Sequence, residues 1–347
     1  MLSSVSKLAD KNFIIGFFLP SLLGVVAAMQ MFSCPSWAGQ VCAATAGPAA
    51  SGHGAAAAAD AFADLTFFAV AVWIIAVLLM ALNYFEYRLA EGYLPPLCWL
   101  EPLRAYHRWK LKRLNARHDK LKESGKLTAA SVLQWNILAR YPRDDARILP
   151  TRFGNTVRAF EMYPAEVYGA DSITIWLRLG SVIPKDFQEL INDARAQVDF
   201  FVNIWFLAWV LALAVLARAV AERFHWTKAP VHDALATAIP IALCVAVAYV
   251  SYTWALGRII AWGDMVKSAF DCYLPALAKQ LGYVLPPEES ARRAFWTDFS
   301  KLAIYRQQMT DKKWTLLSDQ PTNPAGASPK QDDVIFEAGV RTITRRE

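Results

Sequence analysis

The chain has 347 residues, 55% apolar and 19% charged, with a mean hydropathy of +0.24 and a formal net charge of +6. Soluble domains average about 45–50% apolar and 25% charged. The composition therefore excludes a disordered polyelectrolyte, and the small positive balance argues against a nucleic-acid partner.

The apolar surplus is local. Four stretches carry no formal charge: 13–32, 65–85, 200–217 and 234–257. Each lies near or above the roughly 18 residues a helix needs to cross a bilayer. The fold class expected is an all-α integral membrane protein, with four transmembrane helices and helical cytoplasmic extensions. Its solvent is the lipid bilayer.

In chain order, residues 1–12 form a short cytoplasmic N-terminus carrying Lys7 and Lys11. Residues 13–85 hold the first two spans and an outside loop, 33–63, that contains no Lys or Arg. A cleaved signal peptide is the alternative for the first run, but 20 uncharged residues are long for such a core. Cys34 and Cys42 flank the start of the loop at a closable spacing and form a possible disulfide. Gly52, Gly54 and Ala57 match a dinucleotide-binding pattern only by chance, because no strand precedes them.

Residues 86–199 form a cytoplasmic helical segment with 18 basic and 14 acidic residues. Pro95-Pro96 ends the helix of the second span. A basic helix follows over 101–122, with Arg104, Arg108 and Lys112 on one stripe. It either lies on lipid head groups, with that stripe facing the lipid, or packs in a bundle with a solvated charged face. Gly125 stops it, and a second helix covers 128–140.

The segment 149–184 is broken into short pieces by Pro150, Gly154, Asn155, Pro164, Gly169 and Pro184. Between them stand Glu161, Tyr163, Glu166, Tyr168 and Asp171. With Arg152 and Arg158, these form a candidate interface or binding cluster at the membrane edge. The competing reading is structural, with the carboxylates paired to Arg152, Arg158 and Arg178. The stretches LPTRFGNTVRAFEMYPAEVYGAD and AFDCYLPALAKQLGYVLP resemble segments of uncharacterised bacterial multi-pass membrane proteins. That resemblance implies a bacterial source and a recurring membrane architecture, and it assigns no function.

From Pro184 the periodicity predicts one long helix into the third span. Residues 200–257 hold spans three and four around a short outside loop. Apolar periodicity continues beyond Arg258, so 258–316 forms a cytoplasmic helical extension with a last helix over 288–308. Residues 317–347 read as a flexible tail.

Basic residues cluster in 86–199 and after 258, which places both termini on the cytoplasmic side; with the source that the resemblance implies, the membrane is a bacterial inner membrane. Phosphate-loop, zinc-protease and serine-hydrolase motifs are missing, so no catalytic residue, cofactor or metal ligand is assigned and no enzyme is expected. The four uncharged runs hold no Asp, Glu, Lys, Arg or His, which lowers the reading as an ion-coupled transporter. Three functions stay open. One is an oligomeric membrane protein whose cytoplasmic helices couple to the spans, as a channel or membrane effector assembled as a homo-oligomer. Another is a non-catalytic anchor for cytoplasmic protein partners. The last is an inner-leaflet enzyme using Glu161, Glu166 or Asp171.

Overall fold

The computed structural model describes residues 10–32, 54–95, 97–224, 234–307, 309 and 314–317. The regular elements among these residues are all helices, with no strand beyond one isolated bridge between Tyr283 and Leu316. Cys34 and Cys42, the loop that holds them and the tail after Leu317 lie outside the described residues.

The elements in order are α1 (Lys11–Met31), α2 (Gly54–Glu91), α3 (Glu101–Glu123), α4 (Leu127–Leu138) and α5 (Arg152–Tyr168). They continue with α6 (Ser172–Leu179), α7 (Lys185–Arg223), α8 (Ala234–Gln280) and α9 (Glu289–Tyr305). Four of these, α1, α2, α7 and α8, are long and apolar enough to cross a membrane. They match the four uncharged runs, but three of them extend well past those runs into charged sequence.

Helix α1 contains a π turn over Ile14–Phe18, just before Pro20. Proline has no N–H to donate to the preceding turn. The Gly16 carbonyl, four residues upstream, instead accepts from Asn203 Nδ2 on α7 at 2.7 Å. The register defect and the tie to α7 therefore arise at one place, as is common for π turns at working sites.

Helix α2 buries one stripe, Val72, Ala76, Leu79, Asn83, Glu86 and Ala90. The alternating spacing of four and three keeps these residues on one face of a helix. Phe67, Ile74 and Leu78 on the other faces are exposed. An apolar stripe packing inward and an apolar surface facing outward is the pattern of a helix whose outer solvent is not water.

Helices α7 and α8 pack along each other and form the spine. Val198 and Val202 of α7 and Ala255, Ile259, Ala269 and Phe270 of α8 are almost fully buried in its core. The polar domain is built onto their charged ends. Phe153 and Phe160 of α5, Ile175 and Leu179 of α6, and Phe295 and Phe299 of α9 join the same core. Helices α3 and α4 make a hairpin with a separate small core of Leu111, Ile137, Tyr141 and Ile148.

The segment 149–184 differs from the expectation of short broken pieces. Helix α5 runs through Gly154, Asn155 and Pro164 without interruption and stops at Gly169, whose φ of 75° fits a glycine stop. Thr151 caps its start by accepting from Gly154 N at 2.9 Å. Asp171 caps α6 by accepting from Thr174 N at 2.8 Å. Each cap is worth about 1 kcal/mol.

Candidate functional site: a charged junction below the apolar helices

A cleft of about 580 Å³ opens where α2, α5, α6, α7 and α8 converge. Tyr87 and Glu91 of α2, Glu161 of α5, Trp176 of α6, Arg195 of α7 and Trp262 of α8 line it. Aromatic walls with a few converging charges are typical of a ligand cleft.

Asp199 of α7, 5% exposed, is the hub of the upper half. Its Oδ1 accepts from the Tyr87 hydroxyl at 2.7 Å and from Asn83 Nδ2 at 3.1 Å. Arg195, one turn earlier on α7, reaches its other oxygen at 3.8 Å and Asn83 Oδ1 at 3.5 Å. Asn203, one turn later, is fully buried and holds the Gly16 carbonyl. Glu86 is also fully buried, and neither of its oxygens has a hydrogen-bond partner.

Behind the lower half, outside the lining itself, lie Tyr93 and Arg158. The Arg158 guanidinium donates to the Tyr93 hydroxyl and pairs with Glu161 at 3.4 Å. Arg88 lies over the Tyr93 ring at 3.8 Å and pairs loosely with Glu91 at 4.0 Å. Burial pushes the Glu161 carboxyl above the ordinary carboxylate range, opposed by Arg158 and Arg88. Arginine stacked on tyrosine and paired with a half-buried carboxylate loses little entropy per contact, because its planar fork is already organised.

Of the sequence cluster, only Glu161 lines this cleft; Arg158 pairs with it from outside the lining, and the structure takes the other members elsewhere. Tyr163 and Tyr168 both donate to Asp271 Oδ1 of α8, at 2.8 and 2.7 Å. Burial and the Asp271 carboxylate raise the Tyr163 hydroxyl to about 12 and raise Tyr168 as well. Glu166 pairs with Arg143 at 3.2 Å. Asp171 is the α6 cap, and Arg152 lies by the α3–α4 hairpin. On α3, Arg104 and Arg108 line a groove of about 340 Å³ with Arg147 and Arg158. Lys112 is exposed and outside the groove.

Sequence reasoning missed Asn83, Glu86, Asp199, Asn203 and Asp271. A signal for Glu86 and Asp199 existed: Glu86 follows one uncharged run directly, and Asp199 precedes another directly. Continuing the helical phase across those boundaries places both carboxylates on buried faces. Among the described residues, no group of three or more His, Cys, Asp or Glu could hold a metal ion.

In the α3–α4 hairpin, His107 Nδ1 meets the Tyr141 hydroxyl at 3.1 Å, and the histidine is buried. Burial, then Lys110 and Arg152, lower its pKa from 6.5 to about 4. Between these values the unfolded chain binds a proton that the folded hairpin excludes. Stability is therefore full above about pH 6.5 and falls as pH falls toward 4, by up to roughly 3 kcal/mol. Thermal melts at pH 7 and 4.5 check this, and His107→Gln flattens the dependence.

No protein-family model, curated protein or solved structure matches the chain. Fold and site together define an all-helical protein with four helices of membrane-crossing length and a buried polar junction at the base of the apolar layer.

Proposed function

We propose that this chain is a multi-pass protein of a bacterial inner membrane that works without catalysis. Its cytoplasmic helices couple to its four spans, and copies assemble around an axis to gate permeation. Both termini and the 86–199 and 258–316 segments lie inside, following the basic residues. The observation that carries the reading is the continuity of α7 and α8. Each runs unbroken from the charged cleft into the apolar layer, with Asp199 and Asn203 tying α7 to α2 and α1 at the crossing. A tilt imposed in the polar domain is thereby passed to the spans, because packed helices move as rigid bodies.

The test combines topology with flux. Epitope tags inserted at positions 50 and 120 are expected on opposite sides of the membrane. In liposomes, the purified protein is expected as a closed oligomer of three or more copies that conducts ions. A monomer without flux would sink the gating reading. It would favour the alternative of a non-catalytic anchor, for which Trp109 and Trp135, exposed on the α3–α4 hairpin, offer a surface for cytoplasmic partners.

A further inference from the structure

A second cleft, of about 560 Å³, lies between the α3–α4 hairpin and α8. Three cations line it: Lys110 of α3, Arg140 just after α4, and Arg152 at the start of α5. No Asp or Glu is among the lining residues. None of the three cations forms an ion pair among the described residues, whereas Arg88, Arg104, Arg143, Arg147, Arg158 and Lys267 each have a carboxylate. Among the described residues, Lys110 has one ring contact, with Tyr106 at 6.0 Å. Behind the cations, His107 stays neutral at pH 7. The cleft is thus a local positive well with no internal counter-ion.

Its opposite wall is apolar. Leu256 and Ile260 of α8 stand there with Leu114 and Ile137 of the hairpin. Going outward along α8, the same helical face continues through Tyr249, Ala246 and Ala242, all exposed. A soluble anion has no use for such a wall, but a lipid does: its phosphate meets the cations and its chains follow α8.

We propose that this cleft holds the head group of an anionic phospholipid. The assignment rests on the membrane reading above. Basic pockets beside spans on the cytoplasmic side have the chemistry to bind such head groups, and each nearby cation contributes about fivefold in affinity. Gly257 lines the cleft, and a Cβ built there meets nothing within 4 Å. A large side chain at that position would therefore occupy the cleft without disturbing the packing of α8.

The experiment uses the full chain in nanodiscs of phosphatidylcholine doped with phosphatidylglycerol, with bound lipids counted by native mass spectrometry. Preferential retention of phosphatidylglycerol is expected. Lys110→Gln, Arg140→Gln and Arg152→Gln together should weaken it on the order of a hundredfold. Gly257→Phe should abolish it with helicity unchanged, and Arg258→Gln, an exposed residue outside the lining, should leave it intact. Equal retention of the two lipids, or a preference that survives both Gly257→Phe and the triple variant, overturns the proposal. So does tight binding of inorganic phosphate in pure phosphatidylcholine discs without any phosphatidylglycerol preference, which would make the site one for a soluble anion. A chain that stays soluble without detergent would instead remove the membrane reading itself, so the two failures are distinguishable.

Discussion

Asp199→Leu is expected to cost about 3–5 kcal/mol of stability, while Glu86→Leu leaves stability unchanged or raises it by about 1 kcal/mol or more. The two carboxylates are both buried and lie on facing helices, yet their surroundings are opposite. Asp199 receives the Tyr87 hydroxyl and the Asn83 amide and faces the Arg195 guanidinium. Leucine there strands the Tyr87 and Asn83 donors, at about 1–3 kcal/mol for each buried donor without an acceptor, and leaves the half-exposed Arg195 without its carboxylate. Asp199→Asn keeps an acceptor oxygen for Tyr87 and loses only the charge facing Arg195, so its cost should be smaller, about 1–2 kcal/mol. Glu86 gives up hydration and gains no hydrogen bond. Leucine has a similar volume and removes that desolvation cost without opening a cavity. Denaturation of the purified variants in detergent decides between the signs. A Glu86→Leu loss above about 2 kcal/mol would mean that the carboxyl is engaged, and that the account of this junction is wrong.

The sequence made the apolar helices legible because loss of charge reports the solvent directly. It reported their lengths poorly. Helix α2 runs 38 residues around an uncharged run of 21, and α8 runs 47. A charge ends an uncharged run but does not end a helix, so the run measures the apolar layer alone. The same substitution of solvent boundary for helix boundary hid Glu86 and Asp199, each one residue outside a run. Turn-forming residues misled in a different way. Asn155 sits inside α5 because its side chain serves the loop before it, donating to the carbonyls of Leu149 at 2.8 Å and Thr151 at 2.7 Å and accepting from Leu149 N at 2.8 Å. Asp171 reads in the sequence as a binding carboxylate, although its place before Ser172-Ile173-Thr174 suits a helix cap. Asp271, which gathers Tyr163 and Tyr168 from 108 and 103 residues away, leaves no local trace. Only the packing of α5 against α8 brings the three side chains together.

Gly154→Ala is expected to cost about 3 kcal/mol, more than most surface glycine changes, because the added methyl group collides with main chain. An ideal Cβ at Gly154 lies 2.3 Å from the Glu91 carbonyl oxygen and 2.9 Å from Leu149 Cδ1. The carbonyl cannot swing aside, since Thr151 Oγ1 donates to it at 2.9 Å while accepting from Gly154 N. Relief therefore requires the end of α2 and the start of α5 to separate. That movement would pull Tyr93 and Arg88 away from Arg158 and Glu161 and loosen the lower half of the cleft. Gly125→Ala is the matched control. Gly125 has a φ of 72° and open space around it, so alanine there meets only the left-handed backbone penalty of about 1–2 kcal/mol. Thermal melts of both variants, with tryptophan fluorescence reporting on Trp176 and Trp262 in the cleft, separate the two costs. Gly154→Ala should lower the midpoint further and change the fluorescence of the folded state, whereas Gly125→Ala should leave the spectrum as it is. If the two variants melt together with unchanged spectra, the close approach of α5 to the end of α2 does not exist, and the charged cleft built on it loses its floor.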